Sequence, residues 1–109
     1  MKKLVISKVF SRYPVGRDEL DGPDNGERFR REFLLPLLKH GDTVLISFEG
    51  VRMCNPSFLE EAFGGLVRVD KLRADDVLER VQFEQLSSSS NAYPKRATQF
   101  IKEARPGFG

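Results

Sequence analysis

Three residue types that can do chemistry stand close together where a predicted strand meets a predicted helix, in the stretch CNPSFLEEAFGGL at 54–66. Cys54 supplies a thiol, Asn55 an amide and Ser57 a hydroxyl. A serine nucleophile on such a turn needs the glycines of G-x-S-x-G, which N-P-S-F-L lacks. The only histidine, His40, stands beside Gly41, where histidine more often serves as a charge at a helix C-terminus. Cys54 has apolar neighbours and is expected to be buried and inert, so we expect no enzymatic activity.

The helix that follows can begin in two ways. Asn55 can be the N-cap with Pro56 at the first helical position, where proline's missing N–H costs no hydrogen bond. Ser57 can instead be the N-cap with Glu60 three residues later, which is a capping box. Beside both structural interpretations stands a functional one. A hydroxyl exposed at a helix N-terminus lies in a field that favours an added phosphate, so Ser57 is a candidate phosphosite.

A second group of charged residues surrounds a long loop at about 11–26, which holds three glycines and two prolines and is expected to be flexible. Arg12 and Arg17 lie in this loop, and Glu27, Arg28 and Arg30 lie in the helix predicted after it. One interpretation is a solvated charged face. The other is an anion site, or a site for a partner's acidic patch, formed by these arginines.

Composition excludes several classes of function. The 109 residues suit one domain, 1–109, and the net charge of +2 comes from interleaved acids and bases, which gives no face for nucleic acid. One cysteine and one histidine predict no disulfide and no metal site, and no motif predicts a cofactor. No apolar run approaches the ~20 residues that span a bilayer. We expect a cytoplasmic protein without membrane contact.

The first half of the chain predicts a strand at 4–10 and then, after the loop, an amphipathic helix. Asn25 is its expected N-cap, Pro36 its expected kink and Gly41 its left-handed C-cap. The helix carries one apolar stripe: Phe29, Phe33, Leu34, Leu37 and Leu38.

The second half predicts a buried strand at 43–48, with a brief continuation at 51–54, and the helix after Asn55. Its apolar stripe is Leu59, Ala62, Phe63, Leu66 and Val67. A short helix at about 74–80, a strand at 81–83, a loop at 87–91, a last helix from about 93 to 104 and a flexible tail at about 106–109 follow. Strands alternating with helices predict an α/β sandwich with at least partly parallel strands.

These motifs resemble a known family over about residues 4–104. The shared segments are Gly16-Arg17, Gly22-Pro23, Gly26-Glu27-Arg28-Phe29-Arg30, Ser57-Phe58-Leu59 and Glu61-Ala62-Phe63-Gly64. The chain looks like the uncharacterised STAS-like domains of bacteria, relatives of the sulfate-transporter and anti-sigma-factor-antagonist domains. The resemblance implies a small mixed sheet of about four strands with amphipathic helices packed mainly on one face.

The resemblance also implies a role. In the antagonists, a serine at the start of the second helix is phosphorylated by a GHKL-type kinase that docks around that helix. The antagonists have an aspartate–serine pair there, whereas this chain has Asn55 and Pro56, and Ser57 comes one residue later. A partner surface is therefore expected at Asn55, Pro56 and Ser57 and along the helix at Glu60, Glu61 and Gly64. Gly64 and Gly65 cost about 1 kcal/mol each inside a helix, so close packing by another helix or a partner would explain them.

Two rival functions remain open at this point. One is a small-ligand site, for a nucleotide or an anion, or a hydrolase, that uses Arg17, Glu27 and Ser57. The other is an immunity-type or scaffold binder with an unrelated partner.

Overall fold

Three short parallel strands organise the computed structural model, which describes residues 1–86 and 92–107. The strands are β1 (Lys2–Val5), β2 (Val44–Ser47) and β3 (Val81–Phe83), in the spatial order β1-β2-β3. The α/β class and the strands predicted at 43–48 and 81–83 are confirmed. A mixed sheet of about four strands is not confirmed, because both strand pairs are parallel and the described residues hold three strands, with none at 51–54.

The strand predicted at 4–10 is wrong in its second half. β1 ends at Val5, and a single helical turn, α1 (Ile6–Val9), follows directly. Ile6 is fully buried and Phe10 packs edge-to-face on Phe29, whereas Val9 is 45% exposed. Residues four apart thus share the core side, which is helical spacing. The hydroxyl of Ser7 also donates to the carbonyl of Glu49 at 2.6 Å, and this ties the turn to the end of β2.

The first long helix, α2, covers residues 26–40 in three contiguous segments: α-helical Gly26–Phe29, π-helical Arg30–Leu34 and α-helical Leu35–His40. The predicted caps are confirmed, since the side chain of Asn25 accepts from the N–H of Arg28 and Gly41 is left-handed with φ 99°. The kink expected at Pro36 stays a prediction; a π-helical segment ends at Leu34, two residues before it. Proline's absent N–H removes one bond of the regular ladder there.

The second long helix, α3, covers residues 56–68 and is interrupted in the same way. Its segments are α-helical Pro56–Leu59, π-helical Glu60–Gly64 and α-helical Gly65–Arg68. Both π-helical segments begin five residues after an asparagine N-cap. The two helix starts touch, because a Cβ built on Gly26 would lie 2.6 Å from the carbonyl oxygen of Phe58.

Two further helices, α4 (Ala74–Arg80) and α5 (Ala92–Glu103), complete the described structure, and both were expected from the sequence pattern. The predicted loop at 87–91 and the last two residues of the predicted tail lie outside the described residues. The core lies between the helices and one face of the sheet, and Val44, Ile46 and Val81 point into it. The other face carries Lys3, Leu45 and Gln82, of which Lys3 and Gln82 are exposed.

The phenylalanines hold these layers together. Neighbouring ring centroids lie 5.2–6.3 Å apart in an unbroken chain from Phe33 through Phe29 and Phe63 to Tyr93. Nearly all of this aromatic content is therefore used in packing. Within the residues that the structure describes, no helix is long and apolar enough to cross a membrane.

Candidate functional site

The turn before α3 is built around the side-chain amide of Asn55. Its Oδ1 accepts a hydrogen bond from the N–H of Phe58 at 3.0 Å, so Asn55 and not Ser57 is the N-cap. The same oxygen accepts a second bond from the N–H of Gly16 at 3.1 Å, which fastens the glycine-rich loop to the helix start. Of the two capping interpretations, the one with Pro56 at the first helical position is confirmed.

Ser57 is left with unused hydrogen-bonding groups in this turn. Pro56 has no N–H, and Asn55 occupies the N–H groups of Phe58 and Leu59 through its side chain and its carbonyl. The N–H and the hydroxyl of Ser57 make no hydrogen bond to residues 1–86 or 92–107. Ser57 is half-buried and Pro56 is exposed. A partner or a phosphate would therefore meet an unsatisfied donor at this helix start.

Two loop segments beside this turn add exposed side chains. The N–H of Arg52 donates to the carbonyl of Arg12 at 2.8 Å, which brings residues 11–13 next to 51–54. Tyr13 is 51% and Met53 57% exposed. Arg12 and Arg52 are exposed and form no ion pair with the described residues. We call the group formed by Arg12, Tyr13, Arg52, Met53, Pro56 and Ser57 the α3 N-terminal surface.

Beneath this surface lies a network of six charged side chains that joins the loop, α2 and α3. Arg30 is 2% exposed; it donates to the carbonyl of Glu61 at 2.8 Å and pairs with its carboxylate. The Nε of Arg30 also lies 3.0 Å from the Oδ2 of Asp70. Arg68 reaches the carboxylates of Glu60 at 3.0 Å and Glu61 at 2.9 Å. Arg17, from the loop, pairs with the same two carboxylates.

This pairing shifts the pKa of several groups. Burial by itself would raise the pKa of Glu60 and Glu61. Hydrogen bonds and positive charge from the arginines outweigh that effect and lower both below the usual 4.5. The hydrogen bond to Glu60 is the main reason why the pKa of Arg17 and of Arg68 is raised. Glu60, Glu61, Arg17 and Arg68 are therefore charged near neutral pH, and the network holds as many carboxylates as guanidinium groups.

The residues expected along α3 differ in how much solvent they meet. Glu60 is partly exposed, whereas Glu61 is 5% exposed and Gly64 is buried. A Cβ on Gly64 would lie 2.8 Å from the Oε2 of Glu60 and 3.4 Å from the carbonyl oxygen of Phe100 in α5, and one on Gly65 would meet the guanidinium of Arg30. Packing within the chain thus explains both glycines. Glu61 and Gly64 are buried and therefore out of a partner's direct reach.

The expected anion site around the loop does not come together as one cluster. Arg17 and Arg30 already pair with carboxylates, while Glu27 and Arg28 line a surface hollow of about 750 Å³. Arg28 lies over the ring of Phe10 and 3.4 Å from Glu32. The first N–H groups of α2 are also occupied, because Gly26 donates to the carbonyl of Gly16 and Glu27 to that of Arg17, both at 3.0 Å.

The remaining candidates for chemistry are unreactive or remote from this turn. Burial raises the pKa of the Cys54 thiol to about 12, so little thiolate forms near neutral pH. His40 is exposed at the end of α2, with its Nδ1 3.3 Å from Asp42. Among the described residues, no cluster of histidine, cysteine and acidic side chains could hold a metal ion.

Both long helices, with their asparagine caps and the Arg30–Glu61 pair, fall inside a region that matches one family model. The model is described as a STAS-like domain of unknown function (DUF4325), and it matches residues 25–91. The chain belongs to this STAS-like family. No curated protein and no solved structure matches it significantly.

Sequence reasoning missed several parts of this STAS-like site. Arg68 and Asp70 complete the buried network, and Tyr13, Arg52 and Met53 complete the surface. One signal was available, because Glu60 and Glu61 stand two helical turns before Arg68 and so share its side of the helix. The loop side chains gave no such signal, since contacts between residues about forty positions apart have no local pattern.

Proposed function

We propose that this STAS-like domain is a non-enzymatic regulatory module that binds a protein partner through the α3 N-terminal surface. The partner class that the family relationship suggests is a GHKL-type ATPase or kinase, engaged in the manner of an anti-sigma-factor antagonist. The single observation that carries the proposal is the set of unpaired groups around Ser57. The serine's N–H and hydroxyl have no partner among the described residues, whereas the next two N–H groups of the turn bond to the side chain and the carbonyl of Asn55.

The composition of the surface supports this use. Arginine, tyrosine and methionine are enriched at protein interfaces, and Arg12, Tyr13, Arg52 and Met53 are of these types. All four are exposed. The two arginines have no ion pair within the described residues, so a partner's carboxylates would meet unneutralised positive charge.

The network beneath the surface supports pre-organised binding. Asn55 holds the loop at Gly16, and Arg17 holds it at Glu60 and Glu61. A surface fixed before binding loses less conformational entropy when a partner docks. Asn55, Glu60, Glu61 and Gly64 thus contribute by keeping Pro56 and Ser57 in place.

Phosphorylation of Ser57 is the proposed switch. A phosphate adds about −1.5 to −2 charges, one helical turn before Glu60. The phosphate repels the partner's carboxylates, and it competes with Glu60 for Arg17, which holds the loop in place. Both effects weaken binding, so the phosphorylated form releases its partner.

The test measures binding of the purified domain to each GHKL-type ATPase encoded by the source organism, by titration calorimetry. We expect one ATPase to bind the wild type, to bind the Ser57→Ala variant up to about fivefold more weakly because one hydrogen bond is lost, and to bind the Ser57→Glu variant at least tenfold more weakly. Binding by none of them contradicts the proposed partner class. Equal binding of the wild type and Ser57→Glu contradicts the switch.

A further inference from the structure

The outer edge of β3 has no neighbouring strand within residues 1–86 and 92–107. β3 pairs with β2 on one side and with no strand among the described residues on the other. The N–H of Glu84 bonds to the carbonyl of Ile46 in β2 at 2.8 Å, so the backbone groups of the alternate residue Phe83 point outward. An edge strand of this kind can hydrogen-bond to an added strand.

The two edges of the sheet differ in how they are protected. β1, at the opposite edge, begins with Lys2 and Lys3, and charged side chains are a common device against unwanted strand pairing. β3 reads Val-Gln-Phe and carries no charge. The β3 edge is therefore the one suited to pair with another chain.

A groove of about 580 Å³ runs along this open edge, between β3 and α5. All three residues of β3 line it, and Leu78 and Pro94 add to its apolar floor. From α5 it receives residues 94, 95, 98, 99 and 102, which form one helical face. An edge strand facing a helix across an apolar groove is the arrangement in which extended peptides are recognised by strand addition.

The charge of the groove specifies its occupant. Lys95 and Lys102 stand at its rim, both exposed and without an ion pair to the described residues, and none of the lining residues is acidic. The two lysines are seven positions apart, about 10 Å along the helix axis. Acidic side chains four residues apart on an extended chain lie about 13 Å from each other, which the long lysine side chains can meet.

We propose that this groove binds an acidic extended segment of a partner protein, which adds to β3 as a fourth parallel or antiparallel strand. Its backbone bonds to the outward groups of Phe83, one apolar side chain packs against Phe83 and Leu78, and acidic side chains on either side of it pair with Lys95 and Lys102. This site shares no residue with the α3 N-terminal surface, and it does not depend on that surface binding an ATPase.

The test is an NMR titration of the ¹⁵N-labelled domain with three capped peptides, TETXTET, where X is valine, leucine or phenylalanine. We expect amide shifts confined to residues 81–85 and 94–102. The charge-reversed peptides TKTXTKT should bind at least tenfold more weakly. N-methylation of the peptide groups that face β3 should abolish binding.

Two matched double variants assign the charge preference. Lys95→Glu with Lys102→Glu should reverse it, so that TKTXTKT binds more tightly than TETXTET. Lys8→Glu with Lys39→Glu makes the same change at exposed lysines outside the groove and should leave binding unchanged. Circular dichroism checks that each variant is folded.

Four results would overturn the proposal. The first is the absence of amide shifts with all three acidic peptides at about 2 mM, and the second is equal affinity for the acidic and the charge-reversed peptides. The third is a set of shifts centred outside residues 81–85 and 94–102. The fourth is a change of the shifts at these amides with protein concentration when no peptide is present. The last result would assign the groove to a second copy of the chain.

Discussion

Arg30 is a charged side chain held almost wholly out of water, and it explains several neighbours at once. Its guanidinium lies against Glu61 and Asp70, and the absence of a side chain at Gly65 leaves room for it. A buried charge is tolerated only when it is paired and hydrogen-bonded. Arg30 thus joins α2 to α3 through a hydrogen bond and an ion pair with Glu61, which an apolar side chain of the same length could not form.

Removing this charge should destabilise the domain strongly. Arg30→Met leaves the carboxylates of Glu61 and Asp70 with less positive charge in a buried place, and we expect a loss of about 3 kcal/mol in the free energy of unfolding. Urea denaturation measures it. Arg31→Met, one position on, removes an exposed arginine 3.8 Å from Glu27 and should cost less than about 0.5 kcal/mol. Similar losses for both variants would contradict the account of Arg30.

At the scale of elements, one asparagine begins α3 and also positions the loop. Asn55 accepts from Phe58 and from Gly16, whereas Ser57 makes no side-chain bond to the described residues. The structure therefore separates a residue that holds the turn from a residue that is free for recognition.

This separation predicts effects of different size for substitutions at Asn55 and at Ser57. Asn55→Ala removes the cap and the loop contact and should lower the free energy of unfolding by about 1–2 kcal/mol. Ser57→Ala should change it by less than about 0.5 kcal/mol. Thermal and urea unfolding of both variants test this. A larger loss for Ser57→Ala than for Asn55→Ala would restore Ser57 as the cap.

The helices and strands show which features could be predicted from the sequence and which could not. The caps at Asn25 and Gly41, the helix at 74–80 and the strand at 81–83 follow from short-range patterns, and all are present. The π-helical segments were not predicted, because the apolar stripes of both helices fit an uninterrupted α-helix. Residues 6–9 were misassigned, because a short apolar run fits a strand or a helix equally well. Arg30 looked like part of a solvated face, because Glu61 and Asp70 are more than thirty positions away.

At the scale of the whole molecule, the charge network links the stability of the fold to pH. The pKa of Glu60 and of Glu61 is lower in the folded protein than the usual 4.5. Their contribution to stability is therefore fully present above about pH 4.5 and is lost as the pH falls toward the folded-state values.

Replacing one of these carboxylates should flatten the acid limb of the stability curve. Below pH 4.5, the Glu60→Gln variant takes up fewer protons when it unfolds than the wild type does. We therefore expect its free energy of unfolding to fall less steeply as the pH is lowered. Urea denaturation between pH 7 and pH 2.5 gives the slope. Glu19→Gln, at an exposed glutamate outside the network, is the control. An unchanged slope in Glu60→Gln would show that the network does not contribute to acid stability.

The whole molecule offers two separate surfaces on one small framework. The α3 N-terminal surface lies at the turn after β2, and the groove lies along the free edge of β3. The family and the α/β class were accessible from sequence, since they rest on motifs and alternation. The open strand edge was not, because which strand is outermost depends on long-range pairing.

The most direct test of the central claim is to place a negative charge on the α3 N-terminal surface and measure partner affinity. Met53→Glu changes an exposed apolar residue of that surface, and Val69→Glu makes the matched change at a 45% exposed residue beyond α3. Binding of the GHKL-type ATPase by calorimetry should weaken at least tenfold in Met53→Glu and stay unchanged in Val69→Glu. Equal affinities for Met53→Glu and the wild type would contradict the account.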